Sequence, residues 1–236
     1  MIDILMLSTE HIDAYTKYSI PIWKKYCDIH GYRFCHYGEK LIPDMAFTWS
    51  RIKMIQNHFE ETEAEYVVMV DADTFLYKDS LDLKLESLIE KYMTGDKRIL
   101  FQKDGSERMG IYFSHNIKLS LELRRWTLPN AGFNIMKNCQ EVHAFIDAWL
   151  DLGQGRLSHL ADIHPRTQNI LLRGLMTDPE MDKLIGYLPS KIVSKRNTQF
   201  CKHLSAMTKE EIAAAIKEEY DNIFRGEEAK KELASQ

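Results

Sequence analysis

Residues 65–78 read EYVVMVDADTFLYK. The unbroken apolar run Tyr66–Val70 is what a strand buried on both faces of a parallel sheet requires, and it stops abruptly at Asp71-Ala72-Asp73. Ligands of open α/β sheets gather beyond the carboxyl ends of the strands, so two carboxylates stand where such a ligand would bind. Alternate residues share a face in a regular strand, yet both carboxylates can meet one cation only if the chain turns as it leaves the sheet. Magnesium or manganese suits them, because these ions prefer oxygen ligands, keep waters and complete their shell with phosphate oxygens. A nucleotide diphosphate is the natural third party. The plainer reading makes Asp71 a strand-end turn former and Asp73 a cap.

Outward from this strand the chain alternates. Ile2–Leu7 is an apolar run broken by Asp3 and followed by Ser8-Thr9-Glu10, a polar stop from which a helix can begin. Tyr18, Ile22, Tyr26 and Ile29 recur at helical spacing, Gly31 ends that helix, and Tyr32, Phe34 and Tyr37 alternate as a second strand. Ile52, Ile55 and Phe59 stripe a helix over Trp49–Phe59. Further helices are expected at Leu83–Tyr92, Glu141–Leu152, Thr167–Gly174 and Lys209–Glu219, with short strands at Ile99–Phe101 and Gly132–Met136. The sheet material is thus expected to be concentrated before residue 140, with a mostly helical remainder and polar loops. The expectation is a single α/β domain, 1–225, with a mostly parallel, Rossmann-like central sheet flanked by helices, and a tail, 226–236, that frays.

The chain has 236 residues, 44% of them hydrophobic, enough for a substantial core. Thirty-one Lys and Arg face 35 Asp and Glu, a net charge of −4, which removes any sequence-wide reason to bind nucleic acid. No apolar run approaches the roughly 20 residues that span a bilayer, so no transmembrane segment is expected. Acids stand where a signal peptide would carry bases. Cys27, Cys35, Cys139 and Cys201 form no C-x-x-C pair, so neither a zinc site nor a disulfide framework is signalled. A soluble protein of the reducing cytoplasm is the simplest expectation.

One chemistry with similar letters is that of the aspartate-nucleophile phosphatases, D-x-D-x-T/V at a strand end. Here Phe75 occupies the Thr or Val place, and the pair follows two strand-helix units instead of the first strand. The D-A-D-T-F segment instead resembles the DxD motif of GT-A glycosyltransferases. HGYRF (30–34) is similar to the second-strand segment of that fold and WSRIKMIQNHF (49–59) to the helix before the DxD strand. LPNAGFNIMKN (128–138) resembles the N-x-G-x-F strand after the sugar pocket, HPRTQNILL (164–172) the acidic-Gln helix, and FCKHLSAMTKEEI (200–212) the late histidine loop. The nearest group is the retaining α-galactosyl-, mannosyl- and xylosyltransferases of fungal and plant type. The likeness spans most of residues 2–210 and lies in the order of the motifs.

That resemblance implies a metal-dependent transferase moving sugar from a nucleotide diphosphate sugar, of the UDP kind, to a glycan acceptor. A catalytically silent nucleotide- or glycan-binding domain of the same fold is the alternative. It implies Mn2+ or Mg2+ held by Asp73, with Asp71 on the ribose or a metal-bound water and His203 as third ligand. Ser8 and Thr9 would meet the nucleotide in the turn after the first strand, and Arg51 and Lys53 would reach phosphate or base. Asn130, Gly132 and Asn134 alternate along a strand, the glycine admitting sugar and the amides donating to hydroxyls. Asp104 is similar to the donor-sugar-binding acid. At H-P-R-T-Q the chain departs from the pattern, since Thr167 and not an acid precedes Gln168. Retention, with Gln168 beneath the anomeric carbon, is favoured; in an inverting reaction Asp162 would be the general base.

Overall fold

A computed structural model describes residues 1–104, 128–155, 158, 171–172, 174–194, 198–205 and 207–234, with the backbone alone at 104, 128 and 226–234. Its first three strands are β1 (Ile2–Leu7), β2 (Arg33–Tyr37) and β3 (Tyr66–Asp71), joined through helices α1 (Asp13–His30) and α2 (Ser50–Glu61). All three run parallel, with β1 between the others. Strands β5 (Ile99–Asp104), β6 (Leu128–Lys137) and β7 (Ile185–Leu188) extend the sheet to the order β2-β1-β3-β6-β5-β7. Only β6 opposes the rest, pairing antiparallel with both β3 and β5, while β5 and β7 are parallel. The sheet is therefore mostly parallel, as expected. A smaller sheet, ordered β4-β9-β8, is built from β4 (Thr74–Leu76), β8 (Val193–Ser194) and β9 (Cys201–His203).

Both faces of the large sheet are covered, which is why its strands read as apolar runs. On one side Ile4, Met6, Val68, Val70 and Ile135 pack with Ile22, Trp23 and Tyr26 of α1. The long C-terminal helix, Lys209–Ala234, joins this layer through Ile212, Ile216 and Ile223. On the other side Leu5, Leu7, Val67 and Met69 meet Ile52, Ile55 and Phe59 of α2, and Phe145 and Trp149 of the helix Gln140–Gln154. The stripe expected on α2 is buried as drawn. That of α1 is rotated: Tyr15, Ser19, Ile22 and Tyr26 are buried, Tyr18 is half-buried, and Ile29 is 46% exposed. Gly31 closes α1 at φ 71°, a left-handed cap in which glycine carries no steric penalty.

Among the described residues the chain beyond residue 140 is mostly helical, as expected, and it also holds β7, β8 and β9, which the pattern did not show. These strands hold 4, 2 and 3 residues, too few to display a period. β4 escaped for the same reason. The regular alternation expected along β6 also fails: β5 advances from Phe101 to Gln102 while its partner on β6 jumps from Asn134 to Asn130. Ala131 and Met136, five residues apart, consequently pack into the same core layer, which an unbroken period of two forbids. Of the expected helix at 167–174, only 171–172 and 174 lie among the described residues, all helical.

Candidate metal centre

Asp71 closes β3, Ala72 and Asp73 form a tight turn, and Thr74 opens β4. The turn is pinned twice: Thr74 Oγ1 donates to the Asp71 carbonyl at 2.6 Å, and Leu204 N donates to the Asp73 carbonyl at 3.0 Å. β4 pairs antiparallel with β9 so that Thr74 faces His203. A contact across 130 residues of chain thus becomes a matter of strand register. His203, expected in a loop, sits at the end of a strand and is 2% exposed.

Asp71, Asp73 and His203 each offer a ligand atom, and these atoms lie within 4.8 Å of one another. His203 Nε2 is 3.4 Å from Asp73 Oδ1 and 3.6 Å from Asp71 Oδ2, longer than good hydrogen bonds and short enough for donors sharing one ion. Burial, aided by the Asp71 charge, pushes the Asp73 carboxyl above its ordinary value against the pull of His203 and Arg51. Among the described residues the two carboxylates face one guanidinium, that of Arg51, which ion-pairs with Asp71 Oδ1 and also donates to the Ala131 carbonyl at 3.1 Å. Two carboxylate oxygens and one imidazole nitrogen, with a net negative charge, suit a divalent cation of the magnesium or manganese class.

Gly132 makes the cluster possible. A Cβ placed there would lie 2.1 Å from His203 Cε1 and 2.8 Å from Asp71 Oδ2, so the room expected for an approaching sugar is taken by the ligands themselves. Two further residues belong here that the motifs did not single out. Gln102 is buried, and its Oε1 lies 2.8 Å from His203 Nδ1. Tyr15, in the first turn of α1, has its phenol pushed far above the ordinary value by burial and by the charges of Asp73 and Asp71. The available signals were faint: a glutamine directly after the apolar run Ile99–Phe101, and an aromatic hydroxyl just after the β1 turn.

The remaining candidates divide. Leu7 pairs with Asp71 in the sheet, so Ser8 and Thr9 lie at the same strand ends. The Ser8 hydroxyl is 2.6 Å from His36 Nε2, its N–H donates to the Tyr37 carbonyl, and Thr9 opens a 3-10 turn without a side-chain cap. Asn130 Oδ1 accepts from Gly132 N at 2.8 Å; Asn134 Nδ2 donates to the Ala131 carbonyl at 3.2 Å, and its buried Oδ1 has no partner among the described residues. Lys53 Nζ donates to Gln56 at 2.7 Å, which in turn donates to Asp147 at 2.6 Å. Asp104 ends β5, its side chain outside the described residues, as are Asp162 and Gln168 altogether. A cavity of about 900 Å³ lined by Tyr77, Ser80, Gln199, Glu219 and Arg225 lies by the far end of β4 and includes none of the three ligand residues. Side-chain chemistry, and not cavity size, marks the centre.

Residues 4–221 match the model of the galactosyl transferase GMA12/MNN10 family, which is nearly the whole chain. The chain belongs to that family. Among its relatives, the probable glycosyltransferase 7 of Oryza sativa subsp. indica is 27% identical over 135 residues, 54% of this chain and 25% of that protein. The galactomannan galactosyltransferase 1 of Cyamopsis tetragonoloba is 25% identical over 129 residues, 54% of this chain and 26% of that protein. The match thus spans about a quarter of the length of these relatives. Among solved structures, a glycosyltransferase involved in glycosylation of the major capsid of PBCV-1 superposes with a TM-score of 0.67 at 14% identity, covering 92% of this chain and 98% of the other. The galactosyltransferase LgtC, solved with donor and acceptor sugar analogs, gives 0.53 at 13% identity over 90% and 95% of the two chains. The fold is that of the GT-A glycosyltransferases. No helix among the described residues is long and apolar enough to cross a membrane.

Proposed function

We propose that this protein is a divalent-cation-dependent glycosyltransferase that passes a sugar from a UDP-type nucleotide diphosphate sugar to a glycan acceptor. The observation that carries the reading is the convergence of Asp71, Asp73 and His203 at the carboxyl end of β3, in a chain of a galactosyl transferase family. These three residues would hold Mn2+ or Mg2+, and the bound ion would offset the charge of a departing diphosphate without a proton. Arg51 holds Asp71 Oδ1 and leaves Oδ2 turned to His203. Ser8, Thr9 and Tyr15 border the same strand ends, where a nucleotide would lie.

Around the anomeric centre we assign Gln168 to electrostatic support of an oxocarbenium-like sugar, Asp104, Asn130 and Asn134 to sugar hydroxyls, and retention of configuration to the transfer. Asp162 would be the base only in an inverting reaction. A panel of nucleotide sugars tests the whole: nucleoside diphosphate should be released with Mn2+ and not after chelation. Product anomeric NMR should show the donor's configuration, and Gln168→Ala should slow transfer more than Asp162→Asn. Saturable donor binding without turnover would identify a silent binding domain instead.

A further inference from the structure

We propose that Gln102 is the positioning residue of the metal centre, fixing the tautomer of His203 so that Nε2 presents a lone pair to the ion. The inference rests on reading the cluster as a cation site. A neutral imidazole has one N–H, and the side-chain carbonyl of Gln102 can only accept. At 2.8 Å from Nδ1, that carbonyl holds the proton on Nδ1, which leaves unprotonated the nitrogen lying 3.4 and 3.6 Å from the carboxylates. Left to itself, the ring would prefer the opposite arrangement, because Asp71 and Asp73 accept hydrogen bonds and would draw the proton to Nε2. Gln102 therefore works against the local field, and its burial keeps water from competing for Nδ1.

The backbone is built to deliver this contact. The register of β5 against β6 breaks between Phe101 and Gln102, the kind of irregularity that re-aims a side chain beside an active site. Gly132, on the bulged strand, leaves the space that the His203 ring occupies. Histidine ligands to metals generally give their second ring nitrogen to such an acceptor, and losing it costs about 10–100-fold in metal affinity.

The test combines long-range proton-nitrogen NMR of histidine-labelled, metal-free protein with calorimetry of Mn2+ in the presence of UDP. His203, assigned by its absence in His203→Asn, should carry its proton on Nδ1 in the wild type and on Nε2 in Gln102→Leu. Mn2+ should bind Gln102→Leu about 10–100-fold more weakly, and Gln102→Glu, which keeps an acceptor, should restore wild-type affinity at an unchanged melting temperature. A wild-type His203 protonated on Nε2 overturns the proposal, and this readout stands even if Gln102→Leu does not fold. Wild-type Mn2+ affinity in a folded Gln102→Leu overturns it equally while leaving the metal reading intact. A wild-type chain that takes up no Mn2+ overturns the metal reading and the proposal with it.

Discussion

Two carboxylate sites on the same side of the sheet are built to opposite ends. Asp3 lies near the start of β1, fully buried, and among the described residues its hydrogen-bond partners are all donors. Arg33 Nε reaches Oδ1 at 2.9 Å, while Oδ2 receives Arg33 Nη2, Thr62 Oγ1 at 2.6 Å and His58 Nε2 at 2.9 Å. The network closes further out, with Tyr37 hydroxyl 2.9 Å from His58 Nδ1. Burial alone would raise this carboxyl; the Arg33, Thr62 and His58 hydrogen bonds outweigh it and hold the group below its ordinary value. Asp73, at the other end of the sheet, is pushed up by burial, with the Asp71 charge adding to it and the pull of His203 and Arg51 too weak to reverse it. Helix α2 serves both, with Arg51 in its first turn toward Asp71 and His58 in its last toward Asp3. A buried acid whose donors are complete is structural; one left short of donors at the carboxyl ends of strands is a place for a cation.

The largest expected effect separates the two by function. Asp73→Ala should lower metal-dependent turnover by about 10³-fold or more, as several kcal/mol of charge stabilisation is lost. Its melting temperature should not fall, since no core packing is removed. Asp3→Ala should do the reverse, destabilising by about 3 kcal/mol in urea titrations because Arg33 and His58 lose a buried partner, with Mn2+ affinity unchanged. The acid limb sharpens the contrast. The folded Asp3 carboxyl sits lower than the unfolded one, so its contribution is fully present above about pH 3.9, the unfolded value, and is lost as pH falls toward the folded value. Asp3→Asn should flatten that part of the stability-pH curve.

Gly132→Ala should cost about 1–3 kcal/mol of stability through overpacking and should also weaken Mn2+ binding, because the His203 ring is the atom group that must move. Equal metal affinity in a folded Gly132→Ala would show that His203 is not held where the ligand must be. The smallest effect belongs to Thr62→Val, which removes one hydroxyl from the Asp3 network and should cost about 1 kcal/mol by thermal melting, leaving the metal centre untouched.

Much of this contrast was legible in the chain. The apolar run before Asp71, the Ile52, Ile55 and Phe59 stripe, and the Gly31 stop follow from local pattern, because burial on two faces, a helical period and a positive φ each leave a local mark. The place of His203 came from motif order, not from physics, since nothing within a few residues of it signals a metal. Gln102, Tyr15 and the donors around Asp3 left at most a faint local mark for a related reason: each acquires its role from strand register or helix packing across tens of residues. Asp3 itself was visible only as a break in an apolar run. Gly132 was singled out for the right property, its missing side chain, while its neighbour proved to be His203.

Calorimetric titration of UDP into the wild-type protein, once with Mn2+ and once with a chelator, tests the central claim most directly. If Asp71, Asp73 and His203 hold a cation that meets the diphosphate, Mn2+ should tighten UDP binding by about tenfold or more, some 1.4 kcal/mol, and Asp73→Asn should abolish the gain. Equal UDP affinity with Mn2+ and with chelator would contradict the account.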